Sequence, residues 1–142
     1  MATLLLTMPS SPGLPLCYEH RTLRAHEAHK AGGPSLALKD TTWLKGQSIL
    51  QGTLTSARGT FNVVAKLGNT SDAVEALKKE LIFYQKLRRL QGDCIPKCFG
   101  YFFSLSEDQI FGCLILEYCG KPLRTIYDSQ GDIPFALRYN HF

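Results

Sequence analysis

The sequence predicts an α+β fold, an antiparallel sheet of about five strands with one major helix packed on it. Three observations predict it. Strand-like runs bounded by turn signals occupy Ser35 to Leu67. The stretch from Ala73 to Gln91 repeats apolar residues at the helical period. Ile110 to Cys119 (IFGCLILEYC) is a nearly continuous apolar run, which reads as a strand buried on both faces.

The chain has 142 residues, the length of one domain, and a mild net charge of +4 with no charged tail. Without an aromatic-basic signature, that charge does not point to nucleic acid. Residues 1–34 read as a disordered leader, punctuated by Pro9, Pro12, Pro15, Gly32, Gly33 and Pro34. Within it, YEHRTLRAHEAHKA from Tyr18 has few apolar positions and reads as a solvated segment or a short polar helix. Leu4 to Leu6 has no basic residue before it and is broken by Pro9, so it is not expected to be a secretory signal. No window reaches the roughly 18 apolar residues of a membrane span.

From Ser35 the pattern turns strand-like, with Leu36, Leu38 and Thr41 to Leu44, then SILQGTLT from Ser48. Ala57-Arg58-Gly59-Thr60 is a turn signal, and Phe61 to Leu67 completes a hairpin. On that strand Phe61, Val63 and Ala65 share one face, and Asn62, Val64 and Lys66 share the other. Asp72 lies three residues before Glu75, a capping-box arrangement that makes Asp72 the expected N-cap. The helix follows, with Val74, Leu77, Leu81, Tyr84 and Leu87 as its apolar stripe. Lys78, Lys79, Lys86, Arg88 and Arg89 read as a solvated face, with a basic docking surface as the alternative. Gly92 is a natural stop, and CFGYFFSL from Cys98 is strand-like. Gly120-Lys121-Pro122 ends the last strand. Short helical starts are expected at Leu123 to Tyr127 and at Ile133 to Leu137.

The five cysteines are at positions 17, 94, 98, 113 and 119. Cys94-x3-Cys98 is not a usual zinc half-site, and no metal site is expected. Reduced, mostly buried thiols of a cytoplasmic protein are the expectation.

An ammonium inside an apolar strand needs a carboxylate or water. Lys66 has a candidate partner in Glu80, 14 residues on, beside the helix stripe at Leu77 and Tyr84. Glu75 competes, but a capping role accounts for it. Val63-Val64-Ala65-Lys66 resembles the V-A-I-K strand of protein kinases, and Leu114 to Gly120 resembles the last small-lobe strand running into the hinge. Gly92, Ile95-Pro96 and Gly100-Tyr101 resemble a series in fungal kinase-like proteins.

The resemblance covers roughly residues 40–127. It implies a protein-kinase-like small lobe with hinge over 35–127 and an incomplete start of the large lobe over 128–142. It implies that Lys66 contacts the phosphates of Mg-ATP and that Glu80 orients Lys66. Val64, Leu116, Glu117, Tyr118 and Cys119 would contact nucleotide, Leu116 as gatekeeper and the last three around the adenine.

Two departures temper this. The glycine-rich phosphate loop is missing, with only Gly46 and Gly52 in its region. No catalytic-loop or DFG-like motif follows Tyr118, so the chain alone is expected to lack kinase activity. Nucleotide is thus one expected partner. A second protein is the alternative, through a non-catalytic interaction module that resembles a pseudokinase. An unrelated α+β domain is a third reading.

Overall fold

Alternation of buried and exposed side chains along strands, more than the helix, organises this molecule. The computed structural model describes residues 3–11, 13, 15–25, 35–106 and 109–119. In chain order the elements are β1 (Thr3–Pro9), β2 (Tyr18–Ala25), β3 (Ser35–Lys45), β4 (Ile49–Ser56), β5 (Gly59–Gly68), α1 (Ser71–Lys86), β6 (Cys98–Ser106) and β7 (Gln109–Glu117). A 3₁₀ turn, Arg88–Leu90, follows α1.

The expected open α+β sheet is corrected to a predominantly β fold, a closed seven-stranded barrel in the order β1-β2-β6-β7-β5-β4-β3, with α1 the one α-helix among the described residues and outside the barrel. The five expected strands are present as β3 to β7. What closes them is the stretch expected to be a disordered leader. β1 pairs antiparallel with β2 along its whole length and parallel with β3 from Thr3–Ser35 to Leu6–Leu38. β2 reaches β6 through Arg24–Phe103 and Ala25–Phe102. Of the prolines that suggested disorder, Pro9 takes the last position of β1 and Pro15 lies in the β1–β2 connection, while Pro12 and Pro34 lie outside the described residues.

Closure gives β1 two partners and a buried face, with Leu4, Leu6 and Met8 all in the barrel core. Side-chain bonds extend the β1–β3 contact beyond the ladder. The Thr41 hydroxyl donates to the Thr7 carbonyl, and Trp43 Nε1–H donates to the Ser10 carbonyl at 2.8 Å.

The interior is filled by side chains from the strands, among them Leu23, Leu38, Leu50, Leu54, Val63, Ala65, Phe102, Cys113 and Ile115. A barrel this narrow has little more room than its own side chains need. Gly52 belongs to this packing. A Cβ there would sit 2.9 Å from the Lys39 carbonyl oxygen and 2.9 Å from Thr41 Cγ2. The neighbouring β3 is irregular between Lys39 and Thr42, with Asp40 at φ 55°. Gly52 therefore answers to close strand approach.

α1 covers the outer face of β5, β6 and β7 with Val74, Leu77, Leu81 and Tyr84, all buried, against Val64, Tyr101, Leu114 and Leu116. The expected stripe is thus the packed face. Its N-cap is Thr70, whose hydroxyl accepts the Ala73 N–H at 3.1 Å, and not Asp72. Asp72 lies in the first turn, where a carboxylate suits the helix dipole. The helix stops at Lys86, earlier than the expected Gln91. Gln91 clamps the exit, donating to the Tyr84 carbonyl at 2.8 Å and accepting the Cys98 N–H at 2.9 Å.

The expected buried thiols are corrected as well. Cys113 is buried, Cys98 is half-buried, and Cys17, Cys94 and Cys119 are exposed. Gly120, the helical starts near Leu123 and Ile133, and the large-lobe start over 128–142 lie outside the described residues. Among the described residues no helix is long and apolar enough to cross a membrane.

Candidate functional site

Lys66 sits on β5 with Ile49 of β4 on one side and Leu114 of β7 on the other. Its neighbour on the same face is Val64, which is opposite Leu116. The strand therefore carries its lysine on the face that α1 covers. Glu80 projects from α1 toward it, and the Lys66 ammonium donates to Glu80 Oε1 at 2.6 Å. The lysine side chain is 16% exposed and the glutamate 35%. Glu75 does not compete for Lys66; its carboxylate lies 3.8 Å from the Lys78 ammonium, one helical turn away.

This pair has a plain physical basis. Lysine on a covered face must find a charge partner or reach water. Glu80 lies between Leu77 and Tyr84 of the apolar stripe, so helical geometry aims it at the sheet. Burial, and then the Glu80 charge, hold the Tyr84 hydroxyl well above the usual tyrosine range. Tyr84 therefore stays neutral beside the pair.

Val64 and Leu116 are fully buried in the helix–sheet core and present no accessible surface. The end of β7 is held by backbone bonds. Glu117 N–H donates to the Lys97 carbonyl at 2.8 Å, and Tyr118 N–H donates to the Asn62 carbonyl at 2.9 Å. The Glu117 carboxylate accepts the Lys97 N–H at 3.2 Å. The Glu117 carbonyl receives a weak contact from the Cys119 thiol at 3.7 Å. Burial and the Glu117 charge push that thiol's pKa up, which makes it a poor nucleophile.

The structure therefore brings Lys66 and Glu80 together. It places Val64 and Leu116 beside them but inside the core. It puts Glu117, Tyr118 and Cys119 at the adjoining strand end. Gly46 lies in the β3–β4 turn at φ 51°, and Gly52 lies inside β4, so the two glycines do not form one loop. No group of three or more His, Cys, Asp or Glu residues is placed to hold a metal among the described residues.

Sequence reasoning missed a second group. Glu19, Arg21 and Trp43 line a cavity at one end of the barrel. The available signal was the alternation Glu19, Arg21, Leu23, which becomes visible only once Tyr18–Ala25 is taken as a strand.

No family model matches the chain, and no curated protein matches it. Among solved structures it is similar to vaccinia related kinase 3, at 19% identity and a TM-score of 0.42. The match covers 71% of this chain and 32% of that one, so the chain spans about a third of that protein's length. The similarity is to a protein kinase at most and gives no support to the finer likeness to fungal kinase-like proteins.

Proposed function

We propose that this chain binds the phosphates of a nucleotide, Mg-ATP, at Lys66, with Glu80 setting the position of the lysine. The observation that carries the reading is the 2.6 Å Lys66–Glu80 pair between a central strand and the covering helix. A lysine has three donors, and Glu80 takes one of them. The others are free to meet an anion while the carboxylate restrains the side chain. Contact of an adenine with Val64 and Leu116 requires the helix–sheet core to part, since both are fully buried. Phosphate contact is therefore the centre of the proposal.

One observation favours a second reading, a protein-docking module. Ile82 and Phe83 are exposed on α1, at 49% and 39%. They are close in sequence to Lys79 and Lys86, so an apolar patch with a basic border faces outward.

Thermal denaturation with and without Mg-ATP tests the first reading. Ligand at a hundred times its Kd stabilises a fold by about 2.7 kcal/mol. The expected result is a concentration-dependent rise in Tm that disappears in Lys66→Met, while the variant still melts cooperatively without ligand. A shift that survives in Lys66→Met, or no shift in the parent chain, refutes the phosphate reading. Loss of binding to a partner protein in Ile82→Asp would support the docking reading.

A further inference from the structure

The barrel has an end that is not apolar. Residues two apart on a strand share a face. On β2, Leu23 lies in the barrel core, so Arg21 and Glu19 point to the same side. Register agrees, with Arg21 opposite Leu6 and Glu19 opposite Met8, both core residues. The Arg21 guanidinium also lies 4.6 Å from the ring centroid of Phe111, another core residue. Inward positions thus change from Leu4, Leu23 and Ile115 to Glu19, Arg21 and Trp43 toward one mouth. A cavity of about 680 Å³ opens there, lined by Met8, Glu19, Arg21, Trp43, Leu67 and Phe111 among others. That is the size of a small-molecule site, and barrel mouths are a recurrent place for one.

At this mouth the Arg21 side chain is 26% exposed and that of Glu19 60%, so the pair stays within reach of a ligand from solvent. We propose that this mouth binds a small organic monocarboxylate with a flat apolar body. Arg21 Nε–H donates to Glu19 Oε1 at 3.0 Å. The opposite edge of the guanidinium keeps two parallel donors, the fork that matches a carboxylate. The guanidinium lies over the Phe111 ring, a cation–π contact that holds it at the mouth. The Trp43 indole is pinned by its bond to the Ser10 carbonyl, which leaves the ring as a rigid apolar wall. Glu19 sets the charge limit, because its carboxylate repels a second negative charge. The site therefore selects a monoanion over a phosphate dianion. This site is separate from Lys66, and its test does not depend on nucleotide binding.

Trp43 is the chain's one tryptophan, so its fluorescence reports occupancy directly. The full chain is titrated with phenylacetate and with phenylacetamide, which has the same shape without the charge. Phenylacetate is expected to give a saturable change in Trp43 emission, and phenylacetamide a much weaker one. Arg21→Gln should weaken phenylacetate by about tenfold or more and leave phenylacetamide unchanged. Glu19→Gln should tighten phenylacetate, an effect opposite in sign to general damage. If Arg21→Gln does not fold, Glu19→Gln decides. The proposal is overturned by equal binding of acid and amide, or by no saturable change up to roughly 10 mM phenylacetate. Unchanged or weaker binding in Glu19→Gln overturns it too.

Discussion

Leu5 and Leu6 are adjacent residues of β1 on opposite faces, and they test whether the first strand closes the barrel. Leu6 is 0% exposed within the barrel core, whereas Leu5 is 41% exposed on the outside. Leu6→Ala removes buried methyl groups and leaves a cavity walled by strands that are held in register on both sides. The rigid site cannot collapse fully, so the cost falls at about 3–4 kcal/mol. Leu5→Ala loses partly solvated surface and leaves no cavity, a cost of about 1 kcal/mol or less. Urea denaturation followed by Trp43 fluorescence and by circular dichroism measures both. With a slope of about 1.5–2 kcal/mol/M, the midpoint should fall by about 2 M in Leu6→Ala and by no more than about 0.7 M in Leu5→Ala. A Leu6→Ala midpoint equal to the parent's would mean that β1 is not part of the cooperative fold. Equal losses at the two positions would mean that the strand's inward face is misassigned.

Three further outcomes are expected. In a double-mutant cycle, Lys66→Met and Glu80→Ala should couple by about 1–2 kcal/mol, less than a fully buried pair because Glu80 is 35% exposed; strictly additive losses would make the contact a solvated one. Gly112→Ala should cost about 2 kcal/mol, because its Cβ would collide with the Tyr101 hydroxyl and lie 3.0 Å from two ring carbons. Tyr101→Phe in that background should recover part of the loss, measured by the same denaturation. Burial first, then Cys113 and Glu75, push the Tyr101 hydroxyl from its ordinary 10.0 up to about 12. The unfolded chain then ionises this tyrosine before the folded one does. Its contribution is whole below pH 10 and is lost as pH rises toward 12. Tm measured across that window should fall less steeply in Tyr101→Phe, and identical slopes would exclude Tyr101 as the cause.

Much of β3 to β7 was legible in order. The apolar run of β7 has its physical cause in two cores. Phe111, Cys113 and Ile115 face the barrel interior, and Leu114 and Leu116 face α1. The stripe from Val74 to Tyr84 is the buried face of α1, and helical spacing alone brought Glu80 to the side where Lys66 lies. The helix start was misread by two residues. Thr70 and Asp72 both carry oxygens suited to capping, and only backbone geometry chose between them.

The sequence by itself determined the local periods, the hairpin across Arg58, the helix α1 and the reach of Glu80 toward Lys66. Each is set by side-chain spacing within one or two elements. Tertiary structure alone decided that Thr3–Pro9 and Tyr18–Ala25 are strands, that the sheet closes, and that Glu19, Arg21 and Trp43 meet at one mouth. β1 gains its second partner by parallel pairing with β3, and β2 meets β6 across more than seventy residues of chain. Those ladders are backbone hydrogen bonds, which leave little trace in residue type. Charges at the inward positions of β2 also broke the alternation by which a strand is read. A strand whose buried face is partly polar can be recognised only from the partners that enclose it.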